Sequence, residues 1–238
     1  MECQQQKNSM IQTSVNDIFA PVMYSFVNWI LTQAKEKQIK RLYFLARDGY
    51  QMYLSARILC EEQGIDVDCR YLKCSRYALR VPAFHIQKEA CLALICQGGI
   101  DVTLRKVLKR TGMDDRTAEE MAGMLGLEKQ LDEILSYQQV QDFKELFRQS
   151  SVFMNWIYEH SQKAYPSAIG YLRQEGLLDE ISYAIVDSGW IGTLQQTLEM
   201  LLRQEGKKTP LQGFYFGLYE PVSYTHLNTG SGCFLVRQ

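Results

Sequence analysis

Two segments of the chain carry an acid and a glycine directly after a short apolar stretch, and each continues into a helical pattern. In the first segment Asp48 precedes Gly49, and in the second Asp187 precedes Ser188 and Gly189. In α/β proteins, ligands bind at the carboxyl ends of parallel strands, where helices begin. The two segments therefore predict one site at a shared sheet edge, with Asp48 and Asp187 as its catalytic candidates.

The second segment has the features of a phosphate cradle. Gly189 and Gly192 allow close approach of the backbone to a ligand, and the first amides of the next helix favour an anion. Asp187 would bind Mg²⁺, position a hydroxyl or act as a nucleophile. Alternatively, Asp187 only caps the helix and Trp190 only fills the crevice. The predicted phosphate-binding residues of this loop are Ser188, Gly189, Trp190, Gly192 and Thr193.

In the first segment, Arg47 and Asp48 are adjacent at a strand end, so their side chains diverge. Asp48 is the better candidate, because an acid at a helix N-terminus is favoured both as a cap and as a ligand group. With Asp187 it would form the Mg²⁺ site, and Arg47 and Gly49 would contribute to ligand binding. The alternative is that Arg47 and Asp48 form a purely structural ion pair.

A third candidate group lies in the segment CSRYALRVPAF, which we interpret as a loop or short turn ended by Pro82. On a helical turn, Arg76 and Arg80 would share a face, and two guanidinium groups would clamp a phosphate or carboxylate. Ser75 would cap such a turn. We predict Ser75 and Arg76 as phosphate-binding residues and assign Arg80 to a solvated basic edge.

The elements that position these groups follow from hydrophobic periodicity. Apolar runs predict strands at residues 41–45, 69–73, 182–186 and 211–218. Helical spacing predicts helices from Ser14, in a capping box with Asp17, to about Lys37, at 50–62, at 152–174 with an interruption at Pro166, and at 192–203. The predicted fold class is α/β, with a mostly parallel, Rossmann-like sheet flanked by helices.

The predicted domain organisation is an α/β core with a helical insertion. Residues 11–85 and 150–220 would form the core, and residues 86–149, which lack a strand pattern, would form the helical insertion or cap subdomain. The polar tail at residues 222–238 is rich in Gly, Ser and Thr, and no function is assigned to it.

Composition excludes several classes of protein. A net charge of −1 gives no basic surface for nucleic acid, and no apolar run reaches the roughly 18 residues of a membrane span. Seven cysteines without a CxxC motif and three histidines argue against a zinc site or a disulfide framework, and indicate reduced thiols in the cytoplasm. His85 and His160 have no partner in sequence, so a Ser–His or Cys–His mechanism is not supported.

Three motifs together, FLARDGY, CSRYAL and IVDSGWIGTLQQTL, resemble the C-terminal region of bacterial predicted hydrolases of the haloacid dehalogenase (HAD) superfamily. The resemblance covers roughly residues 19–220 and implies an association with surface polysaccharide biosynthesis. It also implies a glycosyltransferase or a hydrolase domain as partner. The phosphatases of that superfamily use an Asp-x-Asp pair, whereas Gly189 and Tyr50 occupy the second positions here.

The loop after Asp187 is also similar to the diphosphate-binding loop of phosphoribosyltransferases, although it has one acid and is about two residues short. The preferred function is phosphate-ester chemistry on, or binding of, a sugar phosphate or nucleotide sugar with Mg²⁺, by a hydrolase or a transferase. The alternatives are a phosphoribosyltransferase-like phosphate-binding domain and a non-catalytic docking domain for glycosyltransferases.

Overall fold

The computed structural model describes residues 9–189, 191–218 and 232–236. In these residues, five strands form one sheet in the order β2-β1-β3-β4-β5, and every pair of neighbours is parallel. The strands are β1 (Arg41–Leu45), β2 (Asp68–Leu72), β3 (Tyr183–Asp187), β4 (Gln212–Leu218) and β5 (Gly232–Val236). The predicted α/β class with a parallel, Rossmann-like sheet is confirmed.

Four of the strands lie within one residue of their predicted positions, whereas β5 was not predicted. It lies in the tail to which no function was assigned, and it pairs with β4. The polar, Gly-, Ser- and Thr-rich sequence before it makes the tail as a whole unlike a strand region, which concealed the apolar end. The rest of the tail, residues 222–231 and 237–238, lies outside the described residues.

The first compact unit contains the sheet and draws on Met1–Cys74, Glu180–Gln196 and Thr209–Gln238. Its helices are α1 (Ala20–Glu36) and α2 (Gly49–Gln63), together with the start of α9 (Thr193–Gln204). Leu42 and Phe44 alternate along β1 and share one buried cluster with α1, α2, β3 and β4. Because parallel strands are covered on both faces, β1 is a continuous apolar run rather than an alternating one.

The second compact unit comprises Ser75–Asp179 and Thr197–Lys208, a longer part of the chain than the predicted insertion at 86–149. It has its own core, which includes Leu92, Leu108, Phe147 and Phe153. Its remaining helices are α3 (Arg76–Ala83), α4 (Lys88–Ile95), α5 (Leu104–Lys109), α6 (Asp115–Met124), a 3₁₀ turn (Glu128–Gln130), α7 (Tyr137–Gln149) and α8 (Ser151–Gln174).

Three local predictions about helices were wrong. Ser14 lies inside a helix that is already formed at residue 9, so it makes no cap hydrogen bond. The segment that contains Pro82 is helix α3 rather than a loop, and α8 continues through Pro166. A proline inside a helix removes one backbone donor and strains the preceding turn, but both helices continue past it.

The N-terminal helical segment exposes an apolar stripe. Residues 9–14 are helical, Val15–Phe19 form a π-helical turn, and α1 follows. None of residues 9–22 is buried. The exposed apolar residues of this stripe are Met10, Ile11, Val15, Ile18, Phe19 and Val22. In the part of the chain that the structure describes, no helix has both the length and the apolar content needed to cross a membrane.

Candidate functional site

The strand order places a topological switch point between β1 and β3. The chain passes from β1 to β2 on one side of the sheet and returns with β3 on the other side of β1. In open parallel sheets, ligands bind in the crevice at the carboxyl ends of the strands at such a point. Asp48 lies three residues after β1, and Asp187 is the last residue of β3. Both predicted acids therefore lie at this edge of the first unit.

A hydrogen bond joins the loops that follow β1 and β3. The Ser188 Oγ donates to Asp48 Oδ2 at 3.0 Å, although the two residues are 140 positions apart in sequence. The Asp48 side chain is 61% exposed. The carboxylate is therefore oriented by Ser188 while it remains accessible to a ligand.

The predicted capping role of Asp48 was wrong. Its backbone angles are helical, φ −64° and ψ −31°, and its side chain makes no cap hydrogen bond. An N-cap residue needs extended backbone angles to turn its side chain toward the helix amides. The carboxylate thus bonds to Ser188 instead of to the start of α2.

Arg47 lies at the outer rim of the site. Its side chain is 96% exposed, and its Nε lies 3.8 Å from Asp48 Oδ1. The peptide bond between Ala46 and Arg47 is cis. Exposed ion pairs of this length contribute little to stability. The geometry does not favour the alternative in which Arg47 and Asp48 form only a structural pair.

Two of the predicted glycines are needed for packing within the sheet. An alanine Cβ at Gly49 would lie 2.9 Å from the backbone carbonyl carbon of Phe44 in β1. At Gly189, where φ is +124°, an added Cβ would overlap the carbonyl oxygen of Gly217 in β4. The Gly217 amide also donates to the Ser188 carbonyl at 3.2 Å. At each glycine, the backbone therefore packs closely against a strand of this chain. This packing holds the segments after β1 and β3 in place.

The residues that start α9 have different surroundings. Gly192, with φ +71°, is buried, and its carbonyl accepts a hydrogen bond from the Gln196 amide at 3.2 Å. Thr193 is the first residue of α9 and is half-buried. Trp190, which was also predicted to bind phosphate, lies outside the described residues.

Cys74 is a residue of this edge that sequence reasoning missed. It follows β2, and its thiol makes a hydrogen bond with the backbone of Ala46. Burial raises the pKa of Cys74 to about 11, the Ala46 bond opposes the rise, and the charge of Asp187 adds to it. A thiol with this pKa is protonated at neutral pH and is a poor nucleophile. Cys74 therefore lies close enough to Asp187 for its pKa to be affected by that charge, and its position after a predicted strand was the available signal.

Tyr215 is a second missed neighbour of Asp187. The two residues are paired in the register of β3 and β4. The Tyr215 hydroxyl donates to Gln195 Oε1 at 2.5 Å, and Gln195 Nε2 donates to the Leu211 carbonyl at 2.5 Å. Burial, and then the charge of Asp187, raise the pKa of Tyr215. The phenol therefore stays neutral beside the acid, and no sequence pattern could have given this register.

Ser75 and Arg76 belong to the second unit. Ser75 caps α3, because its Oγ accepts a hydrogen bond from the Ala78 amide at 3.1 Å, and Arg76 is exposed. Arg80 is only 8% exposed, so its assignment to a solvated edge was wrong. Burial, and then the charges of Arg76 and Arg110, lower the pKa of Arg80 to about 10. The helix turns Arg80 inward while Arg76 stays in solvent.

The fit of Mg²⁺ to this edge depends on the ligand. Among the described residues there is no group of three or more His, Cys, Asp or Glu side chains placed to hold a metal ion. Mg²⁺ is nevertheless commonly held by one or two carboxylates together with substrate phosphates and water. Asp48 and Asp187 match that smaller set. The remaining ligand atoms would come from phosphate oxygens and water.

His85 has a partner that the sequence did not reveal. Its Nδ1 lies 2.8 Å from the Ser161 Oγ, which also accepts from the His85 amide at 2.9 Å and donates to the Pro82 carbonyl at 3.0 Å. Because the Ser161 proton is directed to Pro82, His85 Nδ1 must be the donor. Ser161 is fully buried. The pair therefore ties α3 to α8 rather than forming a nucleophile and a base.

The partial burial of His85 predicts a pH dependence of stability. Burial lowers the pKa of His85, and contact with the Pro82 backbone opposes the shift. The neutral form is favoured in the folded protein, so its contribution is fully present above the unfolded pKa of about 6.5. It is lost as the pH falls through the lower folded pKa. We expect urea midpoints to fall between pH 7.5 and pH 5.5, with a smaller fall in His85→Gln.

The matched control for this prediction is His160→Gln, because His160 is exposed on the same helix as Ser161. This variant leaves the His85–Ser161 contact in place, so its urea midpoint should still fall between pH 7.5 and pH 5.5. Equal slopes of stability against pH in both variants would contradict the assignment to His85.

Comparison of the chain with protein-family models and with curated proteins found no match.

Proposed function

We propose that the chain binds a phosphorylated small molecule, a sugar phosphate or nucleotide sugar, at the carboxyl ends of β1 and β3. The observation that carries the proposal is the Ser188–Asp48 hydrogen bond across the switch point. It holds an accessible carboxylate in a fixed direction at the place where open parallel sheets bind ligands. The Asp48 side chain is 61% exposed, so a ligand can reach it.

The two acids have different surroundings and therefore different proposed roles. Asp48 is exposed and oriented by Ser188, so it would bind a sugar hydroxyl or Mg²⁺. Asp187 is half-buried beside Cys74 and Tyr215, and it would act as the acid, base or nucleophile on the phosphate ester. Mg²⁺ would supply charge neutralisation for the phosphate. Thr193 and the first amides of α9 would donate to phosphate oxygens.

The test is a thermal-shift screen of the full chain with inorganic phosphate, a hexose 1-phosphate, a nucleoside-diphosphate sugar and phosphoribosyl diphosphate, each with and without Mg²⁺. A ligand at 100 times its Kd stabilises a protein by about 2.7 kcal/mol, which is readily measured. We expect the sugar-containing phosphates to raise Tm more than inorganic phosphate does. A response to phosphoribosyl diphosphate alone would instead favour the transferase-like alternative.

The exposed N-terminal stripe favours a second candidate function, non-catalytic docking. Its apolar side chains recur at helical spacing on a segment with no buried residue from 9 to 22. Exposed apolar surface of this kind marks a protein–protein contact. The family resemblance suggests a glycosyltransferase or a hydrolase domain as partner. The ligand screen separates the two functions, because a docking domain would show no Tm change with any anion.

A further inference from the structure

Two cysteines outside the proposed ligand site are in direct contact. Cys60 lies in the last turn of α2 and Cys69 is the second residue of β2. Their sulfur atoms are 3.9 Å apart, and both residues are half-buried rather than enclosed. The sequence predicted reduced thiols, and it gave no sign that two of the seven are neighbours.

Independent backbone contacts fix the main chain at each of the two cysteines. The Ile65 amide donates to the Cys60 carbonyl at 2.9 Å, and Gly64, with φ +63°, ends α2 at that point. Cys69 is held by the register of β2 against β1, where it is paired with Leu42. A disulfide needs a sulfur separation of about 2.05 Å. Closure therefore requires the two sulfurs, now 3.9 Å apart, to approach by about half of that distance.

We propose that Cys60 and Cys69 form a two-electron redox site that closes to an intramolecular disulfide in the presence of a small organic disulfide. The Cys60 thiolate attacks one sulfur of the oxidant, forms a mixed disulfide and expels the first thiolate. The Cys69 thiolate then attacks Cys60 and expels the second. The two protons from the cysteines go to the two released thiolates, so the oxidant is reduced by the two electrons that the protein loses.

The surroundings of each thiol set the order and the speed of these steps. Burial raises the pKa of Cys60, and the hydrogen bond with Cys69 opposes the rise. Burial raises the pKa of Cys69 further, and its contacts with Cys60 and Asp68 add to the rise, whereas Arg57 opposes it. Cys60 therefore attacks first. Because both thiols are neutral at pH 7, closure is slow there and faster as the pH rises.

The experiment uses oxidised glutathione on the full chain at pH 8.5, followed by tryptic mapping without reductant. Residues 58–70 form one tryptic peptide that contains both cysteines. Closure removes two hydrogens, so this peptide should become lighter by about 2 Da, and dithiothreitol should restore its mass. Tm should rise by about 5 °C, because the bridge ties the end of α2 to β2.

Two single variants test the order of attack. In Cys69→Ser, a glutathione adduct should accumulate on Cys60, and in Cys60→Ser the adduct on Cys69 should form more slowly. Cys74→Ser should close the bridge as the unmodified chain does. Adducts on both cysteines without a bridge in the unmodified chain would overturn the proposal. The result does not depend on the ligand site, because no phosphorylated ligand is present.

Discussion

Replacing Asp187 by asparagine is expected to remove about half or more of the Tm increase that a phosphorylated ligand with Mg²⁺ produces at 100 times its Kd. The substitution keeps the shape of the side chain and removes its charge. Interactions of charged groups with ligands are worth about 1.5–3 kcal/mol, which corresponds to a loss of affinity of roughly 10- to 100-fold. The measurement is the Tm response, confirmed by calorimetric titration with the best ligand of the screen.

The same variant has a second readout that is independent of any ligand. The charge of Asp187 contributes to the raised pKa of Cys74, so Asp187→Asn should lower that pKa. The reaction of Cys74 with iodoacetamide, followed by mass spectrometry against pH, should shift to lower pH. This shift tests whether Asp187 lies close to Cys74, and the test needs no ligand.

Asp66→Asn is the matched control for Asp187→Asn. Asp66 belongs to the same unit and is exposed, but it precedes β2 and therefore lies at the opposite end of the strands. This variant should leave both the ligand response and the Cys74 profile unchanged. An intact ligand response in Asp187→Asn would remove Asp187 from the site, and equal losses in both variants would point to a general charge effect.

Gly189→Ala is expected to lower the free energy of unfolding by about 3 kcal/mol. A residue with a side chain is strained at φ +124°, and the new Cβ would overlap the Gly217 carbonyl oxygen. Relief requires the loop to move away from β4, which breaks the hydrogen bond from the Gly217 amide to the Ser188 carbonyl. The hydrogen bond from the Ser188 hydroxyl to the Asp48 carboxylate would then break as well. Urea unfolding followed by circular dichroism measures the loss.

Gly64→Ala separates backbone strain from the clash with β4. Gly64 also has a positive φ, +63°, but an added Cβ there meets no atom within 4 Å. Only the strain of the left-handed conformation remains, which costs about 1 kcal/mol. If the two variants lost the same stability, the tight approach of Gly189 to β4 would be refuted.

Local features of the sequence were sufficient for much of the fold. The apolar run at 41–45 is bounded by charge, and β1 has those bounds. The serine before Arg76 caps α3, because a cap needs only neighbours three residues away. The strand–acid–glycine pattern placed Asp48 and Asp187 at one sheet edge, since parallel strands end on the same side.

Features that depend on distant residues could not be predicted. The bond between Ser188 and Asp48 spans 140 positions, and the contact between His85 and Ser161 spans 76. The burial of the Arg80 side chain and the pairing of β5 with β4 likewise depend on how distant parts of the chain pack. Hydrophobic periodicity carries no information about contacts between distant residues, because it describes one helix or strand at a time.

The amino-acid sequence alone determined the positions of β1, β2, β3 and β4 and of the acids and glycines near their ends, because these depend on backbone propensity and on contacts a few residues apart. Tertiary structure alone decided that Ser188 orients Asp48, that Gly189 meets β4 and that Cys60 lies against Cys69. Each of these contacts joins segments from different elements, and only packing of the sheet and its helices brings such segments together.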